Sequence, residues 1–252
     1  MIVIDVGNTN IVLGVYSNTK LKKIFRFNSK SILTIKEIKK KFTKNYILKL
    51  DLDFNICIIS SVVIGLDIKI KDIFEKINLK IKNISYKNLP IKIKFDIDNP
   101  HELGNDRIAN SIAAINKYGK NCLVIDFGTA TTFDIVKKPG IYEGGVIAPG
   151  INLSILNLNK STAALPIFKL KSNSKAYGKN TNDALNAGFL WGYQGLINNI
   201  IKKISLNFKT KFKIILTGGY ATVFINFINN KSTIDKHITI KGIMFIYRNL
   251  LK

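Results

Sequence analysis

The sequence has little of what disulfide scaffolds and zinc sites are built from. Its 252 residues include two cysteines, two histidines, one tryptophan and five prolines. Cys57 and Cys122 fall in apolar, strand-like runs, and neither has a second Cys or a His at a metal-ligand spacing. We therefore expect buried free thiols, as in proteins of the reducing cytoplasm.

Long apolar runs are also missing. Lys, Asp or Asn interrupts every isoleucine-rich segment well before the roughly 18 residues that a membrane span needs. Met1 leads directly into Ile2, Val3 and Ile4, without a basic region or a small-residue cleavage site. The sequence predicts a soluble, cytoplasmic protein with no membrane partner.

Acidic residues are scarce, with 16 Asp and Glu against 39 Lys and Arg, a net charge of +23. Such a balance often indicates a nucleic-acid or membrane partner. However, 36 of the basic residues are Lys and three are Arg, whereas recognition of phosphates and bases favours the forked guanidinium. We interpret the charge as compositional bias and expect no nucleic-acid partner; a nucleic-acid-binding regulator is the alternative.

A weak internal repeat is the most informative feature that is present. Residues 3–10 align with residues 124–131, an offset of 121, and in each copy an apolar strand ends on an Asp followed by a Gly-centred turn and another apolar run. This pattern predicts a strand-turn-strand hairpin in each of two related halves. It does not match a dinucleotide-binding fingerprint or a P-loop, where a helix follows the turn.

Each half continues with alternating strands and helices, which favours two α/β domains, residues 1–118 and 119–252, around a cleft. Further strands are predicted at residues 21–27, 54–60, 122–126, 132–136, 141–147 and 212–216. Helices are predicted at residues 32–42, 104–118 and 240–250, and from residues 152 and 182 onward.

The duplicated Asp turns are the first candidate site. A carboxylate at a strand end, beside a Gly turn with free backbone N–H groups, suits a cation held next to phosphate oxygens. One such turn alone is better explained as an ordinary structural turn than as a phosphate site. Two copies favour a nucleoside triphosphate site, to which Asn8, Thr9 and Thr129 add amide and hydroxyl groups.

Residues 99–107 form the second candidate. Pro100 predicts an extended approach, Gly104 a turn, and Asp106 and Arg107 the first turn of a helix. There Asp106 can accept a proton from a hydroxyl, while Arg107 and the helix N-terminus meet an anion. Alternatively, Asp106 only caps the helix and Arg107 is solvated.

Glycine turns at residues 144–150 and 216–219 are the third candidate. They either let the backbone approach an adenine or ribose closely or simply close loops. Thr181 begins a predicted helix, as its cap or as a hydrogen-bonding group for a substrate.

Together these motifs resemble the type III pantothenate kinase family, in the family's order over residues 4–195, with residues 216–219 also matching. The resemblance implies the fold of acetate and sugar kinases, heat-shock ATPases and actin: two ribonuclease-H-like domains around a nucleotide cleft. It also implies phosphorylation of the 4′-hydroxyl of pantothenate by ATP, the first step of coenzyme A synthesis, in a homodimer whose pocket lies near the subunit interface.

The same resemblance implies residue roles. Asp106 would be the proton acceptor, Asp126 would hold K⁺ or NH₄⁺, and Thr129 would contact ATP, which comes with Mg²⁺. The first phosphate loop would comprise Asp5, Val6, Gly7, Asn8, Thr9, Asn10, Ile11 and Val12. The pantothenate site would comprise Gly104, Asn105, Asp106, Arg107 and Thr181, with the substrate carboxylate on Arg107.

One position departs from the family pattern. Seven residues before Gly104, where the family usually has a Tyr that contacts pantothenate, the chain has Ile97. Loss of one neutral hydrogen bond costs about 1 kcal/mol, or several-fold in affinity, unless another residue such as Tyr86 replaces it. Ile97 also supports an alternative, a kinase of another small alcohol or sugar; a further alternative is a binding protein switched by ATP.

Overall fold

The computed structural model describes residues 1–17, 19–31, 34–43, 56–63, 65–85, 87, 89 and 93–250. The chain divides into two compact units. The first unit comprises Met1–Lys117, Gly140–Tyr142 and His237–Lys252, and the second comprises Tyr118–Pro139 and Glu143–Lys236.

The described part of the chain alternates strands and helices, as the sequence predicts. The strands are β1 (Ile2–Val6), β2 (Asn10–Ser17), β3 (Lys20–Asn28), β4 (Ile56–Ser61), β5 (Lys80–Asn83), β6 (Lys94–Phe95), β7 (Cys122–Phe127), β8 (Ala130–Lys137), β9 (Ile141–Pro149), β10 (Lys213–Gly218) and β11 (Ser232–Ile234). The α-helices are α1 (Thr34–Lys41), α2 (Leu66–Glu75), α3 (Asn105–Tyr118), α4 (Ile151–Lys160), α5 (Thr181–Asn207), α6 (Ala221–Phe224) and α7 (Ile238–Leu250).

The strand order confirms the duplication. The sheet of the first unit runs β3-β2-β1-β4-β5, and strands of the second unit run β9-β8-β7-β10-β11, the same order with each number raised by six. In both, the central strand pairs antiparallel with its hairpin partner and parallel with the strand on its other side. The two Asp turns therefore occupy equivalent positions, at the end of β1 and at the end of β7.

The loops of the two hairpins differ in length by one residue. In the first, Val6 pairs with Ile11, and in the second Phe127 pairs with Thr131. Adding the offset of 121 to Ile11 gives position 132, so the second loop is one residue shorter than the alignment of the two sequences implies. The repeat is therefore exact in the strand that carries the Asp and diverges just after the Gly.

Each unit has its own apolar core. In the first, alternate residues of β1, β2 and β4, such as Ile4, Leu13 and Ile59, pack with Phe42 and with Phe74 of α2. In the second, residues of β7, β8 and β10 pack against the long helix α5. Nearly every residue of these isoleucine- and valine-rich runs is buried, as expected for strands with both faces covered.

The closing helix α7 belongs to the first unit, which differs from the sequence-based division at residues 118 and 119. A Cβ on Gly242 would overlap the carbonyl of Ala109 in α3, so the two helix backbones are in close contact. Thr239 also donates a hydrogen bond to the buried Asn110 side chain, at 2.8 Å. Apolar periodicity predicts this helix but does not indicate which core it joins.

The predicted strands and helices are present, with their described ends shifted by no more than two residues. Pro100 differs: it does not extend the chain but begins a 3₁₀ turn, Pro100–Glu102, because its fixed φ suits the first helical position. Helices α2 and α6 and the short strands β5, β6 and β11 were not predicted. Of the predicted elements, residues 32, 33, 54 and 55 lie outside the described residues, as does Tyr86.

The two cysteines are buried free thiols, as the sequence predicts. Burial raises the pKa of both, that of Cys122 to about 11. Within the described residues, no helix combines the length and the hydropathy that crossing a bilayer requires.

Candidate functional site

The first Asp turn stands at the end of the central strand of its sheet. Asp5 of β1 lies opposite Val12 of β2 and Ser60 of β4, and it is partly buried. The following Gly7 donates its backbone N–H to the Asn10 carbonyl, at 3.0 Å. The sequence-based expectation that this N–H is free is therefore wrong, because the tight hairpin closes on its own donor.

The residue that follows β3, which sequence reasoning missed, supports this loop. The Ser29 hydroxyl donates to the Gly7 carbonyl at 2.6 Å, and the Ser29 N–H donates to the Thr9 carbonyl at 2.9 Å. Nothing in the local sequence marks Ser29, since the contact depends on β3 folding back beside β2. Asn8 and Thr9 remain exposed at the tip of the loop.

The second Asp turn has the same placement. Asp126 of β7 lies opposite Thr132 of β8 and Thr217 of β10, and it is partly buried. Gly128 donates its N–H to the Ala130 carbonyl at 3.0 Å, so this donor too is used within the turn. Thr129 is exposed beside it.

Two distant glycines pack directly on this second turn. A Cβ on Gly150 would overlap the Thr129 carbonyl, and a Cβ on Gly218 would lie 2.5 Å from the Phe127 carbonyl and 2.6 Å from Oδ1 of Asp126. Gly218 also has a φ of +83°, in the left-handed region that favours glycine. These two positions of the predicted glycine turns thus shape the residue 126–129 loop.

Residues 144–149 of the predicted glycine turn form part of a strand instead of a turn. Gly144 and Gly145 lie inside β9, which continues to Pro149. The Pro149 carbonyl accepts hydrogen bonds from the hydroxyls of Thr131, at 3.1 Å, and Tyr193, at 3.2 Å. The end of β9 is thereby fixed beside the second hairpin, which places Gly150 against Thr129.

The first turn of α3 holds the Asp106 carboxylate in a defined position. Its Oδ1 accepts a hydrogen bond from the Arg107 N–H at 2.8 Å. A Cβ on Gly104 would lie 2.5 Å from the same oxygen, so the absence of a side chain at Gly104 makes room for the carboxylate. Among described residues, no donor contacts Oδ2 of Asp106.

The start of α3 is tied to the end of β4. The Asn105 side chain donates to the Ser61 carbonyl at 3.1 Å, and Ile108 donates to the Gly104 carbonyl at 3.1 Å. Ser61 follows Ser60, the neighbour of Asp5 in the sheet. Within the first unit, the Asp5 strand and the Asp106 helix are therefore both anchored on β4, a link that the sequence did not reveal.

Arg107 contacts an aromatic ring rather than standing alone in solvent. Its guanidinium carbon lies 5.9 Å from the centre of the Tyr142 ring. The Ser111 hydroxyl donates to the Arg107 carbonyl at 2.8 Å. Sequence reasoning missed Tyr142, which lies 35 positions further along the chain.

Thr181 is the first residue of α5 but not its cap. The cap is Asn180, whose side-chain oxygen accepts the Asp183 N–H at 2.9 Å. Thr181 itself is exposed in the second unit, whereas Gly104, Asn105, Asp106 and Arg107 lie together in the first. Its assignment as a pantothenate contact stays a prediction.

The described residues contain no cluster of three or more His, Cys, Asp or Glu side chains that could enclose a metal ion. Asp126 Oδ1 would lie 2.6 Å from a Cβ on Gly218 and 3.7 Å from one on Gly128, so the backbone of these two glycines lies close to the carboxylate. Carboxylate and carbonyl oxygens are the ligands that hard cations such as K⁺ prefer.

Comparison with known proteins shows the family of the chain. The family model for type III pantothenate kinase matches residues 1–203. The chain belongs to the type III pantothenate kinase family. Members of this family are phosphotransferases that phosphorylate pantothenate with ATP in coenzyme A synthesis, and the chain is an enzyme of this class.

Similar proteins of the family match nearly the full chain. A type III pantothenate kinase from Pelagibacter ubique is 40% identical over 244 residues, which cover 93% of this chain and 97% of that protein. Another, from Koribacter versatilis, is 35% identical over 260 residues, covering 98% and 94%.

Solved structures show the fold. One assigned to the Baf family of transcriptional activators from Campylobacter jejuni matches with a TM-score of 0.66 at 23% identity, covering 100% of this chain and 99% of that one. The activator of 2-hydroxyisocaproyl-CoA dehydratase from Clostridium difficile matches with a TM-score of 0.56 at 11% identity, covering 100% and 96%. With the duplicated sheets, these likenesses show the actin-like ATPase fold that the sequence predicts.

Gly218→Ala tests the packing around the second Asp turn. The added methyl group meets the Phe127 carbonyl and the φ of +83° disfavours alanine, so we expect a loss of about 2–4 kcal/mol in the free energy of unfolding. Urea denaturation measures it.

Gly219→Ala is the matched control for this variant. A Cβ there would lie 3.9 Å from the Phe127 carbonyl, an ordinary contact, and we expect a change within about 0.5 kcal/mol. Equal effects of the two substitutions would contradict the packing described.

Proposed function

We propose that the chain phosphorylates the 4′-hydroxyl of pantothenate with ATP, with Asp106 as the proton acceptor. The observation that carries this proposal is the Asp106 carboxylate, which is held through Oδ1 by the Arg107 N–H while no described residue donates to Oδ2. A carboxylate fixed through one oxygen can accept a proton through the other without reorienting.

Positioning is the main task of the protein in such a reaction. Phosphoryl transfer passes through a loose transition state, so the acceptor hydroxyl needs alignment more than it needs a strong base. Asp106 would orient the hydroxyl and take its proton late in the transfer. Arg107 would face the substrate carboxylate, since its guanidinium can make paired hydrogen bonds to two oxygens.

The nucleotide would be bound through both Asp turns. In the first, residues Asp5 to Val12 would meet the phosphates, with the exposed Asn8 and Thr9 side chains as donors. In the second, Thr129 would contact ATP. Because Gly7 and Gly128 use their N–H groups inside the turns, the contacts would come from side chains and from other backbone donors.

Asp126 would hold the monovalent cation, K⁺ or NH₄⁺. Glycine backbone lies beside this carboxylate, and carboxylate and carbonyl oxygens are the ligands that such a cation would take. Mg²⁺ would arrive with ATP, held by phosphate oxygens and water rather than by a protein cage. When bound, the two cations neutralise charge on the phosphates.

We also propose a homodimer. In the second unit, Ile147, Leu153 and Leu156 are exposed by 65%, 44% and 42%, and the two leucines share one face of α4. A second copy of the chain would cover these side chains. Light scattering should then give twice the 28.3-kDa mass of the chain, and a monomer at micromolar concentration would contradict the proposal.

We also propose a cytoplasmic location for the protein. The buried free thiols support it, because thiols stay reduced in the cytoplasm.

ADP release, coupled to an optical readout, tests the substrate. We expect release that depends on pantothenate. Release of ADP without any acceptor would favour a binding protein switched by ATP. Release with other alcohols but not with pantothenate would favour a kinase of another small alcohol or sugar, the alternative that Ile97 supports.

Asp106→Asn tests the proton acceptor. The amide keeps the shape of the side chain but cannot take the proton, so we expect kcat to fall about 10²- to 10⁴-fold, with KM for pantothenate changed only a few-fold. Asp72→Asn, an exposed position on α2, is the matched control and should behave as the wild type. Wild-type kcat in Asp106→Asn would remove Asp106 from this role.

Asp126→Asn tests the cation site. The wild type should be active in KCl and nearly inactive in NaCl, because Na⁺ is too small for a site that suits K⁺ or NH₄⁺. Asp126→Asn should have similar activity in KCl and in NaCl, because the side chain no longer carries the negative charge that would bind the cation. Equal wild-type rates in the two salts would show that this assignment is wrong.

A further inference from the structure

Ser60 carries a buried hydroxyl without a hydrogen bond. The residue is 0% exposed, and its Oγ has no hydrogen-bond partner among the described residues. Buried hydroxyls nearly always have a partner, because a hydroxyl that leaves water without gaining one destabilises the folded state. Thr131, which is also 0% exposed, shows the usual case, since its hydroxyl donates to the Pro149 carbonyl at 3.1 Å. The hydroxyl of Ser60 therefore needs an explanation.

Ser60 lies directly beside Asp5 in the sheet of the first unit. The two residues are partners in the parallel pairing of β4 with β1. The preceding pair, Ile59 and Ile4, packs in the apolar core on one face of this sheet. Because successive side chains of a strand alternate between faces, Ser60 and Asp5 share the opposite face.

A hydrogen bond between these two side chains is within reach. Neighbouring strands lie about 4.8 Å apart, so a change of one side-chain rotamer can bring a serine Oγ to a carboxylate oxygen of the paired residue. A carboxylate offers about four acceptor sites. Asp5 can therefore accept this bond in addition to the contacts that it already makes.

Both residues stand at the edge of the sheet where ligands bind. Asp5 is the last residue but one of β1, and Ser60 is the last but one of β4. In sheets with parallel strands, ligands bind outside the carboxyl ends of the strands. A hydroxyl that has no partner in the free protein can gain one there when a ligand binds.

We propose that Ser60 is a positioning residue, which donates a hydrogen bond to the Asp5 carboxylate in the nucleotide-bound state and so holds that carboxylate toward the phosphates. This inference rests on the nucleotide-binding role proposed above for residues 5–12. The unmet hydroxyl destabilises the free protein, and nucleotide binding removes this penalty. The bond therefore adds to the affinity for the nucleotide and not to the stability of the free protein.

Ser60→Ala tests the proposal through two measurements on the same protein. Urea denaturation of the free protein should have its midpoint at the wild-type concentration or above it, because alanine removes the unmet polar group. Calorimetric titration with a non-hydrolysable Mg·ATP analogue should give an affinity about 10- to 100-fold lower, the range for a hydrogen bond to a charged group. Unchanged affinity would overturn the proposal.

Thr131→Val is the matched control for the urea measurement. It removes a hydroxyl that has a partner and nearly keeps the volume of the side chain, so its midpoint should fall below that of the wild type. If Ser60→Ala lowers the midpoint as much as Thr131→Val does, the Ser60 hydroxyl already has a partner in the free protein, and the proposal is wrong.

Ser60→Cys separates the loss of the donor from the loss of volume. The thiol fills the space that alanine leaves, but it is only a weak donor. The affinity for the analogue should therefore fall in Ser60→Cys as it does in Ser60→Ala. Wild-type affinity in Ser60→Cys would show that packing at this position is what the nucleotide site needs, and it would overturn the proposal.

Asp5→Ala separates this inference from the proposed function. It should weaken binding of the analogue, and adding Ser60→Ala to it should change the affinity by less than about twofold, because the acceptor is gone. If Asp5→Ala weakens binding while Ser60→Ala alone does not, the role of Asp5 stands and that of Ser60 is wrong. If Asp5→Ala leaves binding unchanged, the role of Asp5 is wrong, and the inference is overturned at that earlier step.

Discussion

The structure depends on the central strand of each half, which lies between an antiparallel hairpin partner and a parallel neighbour. Both sides of β1 and β7 are hydrogen-bonded, so the chain at the strand end has no freedom to drift. The last residue but one of each strand is an Asp, which the sheet therefore holds in place. The turns that follow close on their own N–H groups and rely on neighbouring segments, rather than on side-chain bulk, to keep their shape.

Close backbone contact is the means by which other segments reach these positions. Gly150 and Gly218 bring two strand ends against the second turn, and Gly242 brings the closing helix against α3. Gly104 does the same for a side chain, since its missing Cβ leaves space for the Asp106 carboxylate. In each case the glycine lets two groups come closer than any other residue allows.

Local patterns in the sequence predict what local contacts determine. Alternating isoleucine and valine predict β1, β2 and β7, and the repeated Asp-x-Gly turn predicts the duplication, because both follow from neighbours in the chain. The one-residue difference between the hairpins and the strand character of Gly144 are set by pairing with distant segments. No short stretch of the sequence contains both of the segments whose pairing determines these two features.

The residues of the candidate site also fall into those that the local sequence predicts and those that depend on distant segments. Asp106 and Arg107 were predicted from their place in the first turn of a helix, and the structure confirms that helix. Ser29, Ser61 and Tyr142 were not predicted, because each reaches its partner only through a strand or helix start that folding brings alongside. The place of α7 in the first unit was not predicted for a similar reason. Apolar periodicity indicates that a helix has a buried face but not which core that face joins.

The central claim is that glycine-permitted contacts, and not residue type alone, place the reacting groups. Gly104→Ala tests it most directly, because the new Cβ would meet the end of the Asp106 side chain, at 2.5 Å, and leave Val62 at 3.6 Å. The free energy of unfolding should change by less than about 1 kcal/mol, while kcat at saturating substrates falls about 10- to 100-fold as the carboxylate is displaced. Wild-type kcat in a folded Gly104→Ala protein would contradict the account.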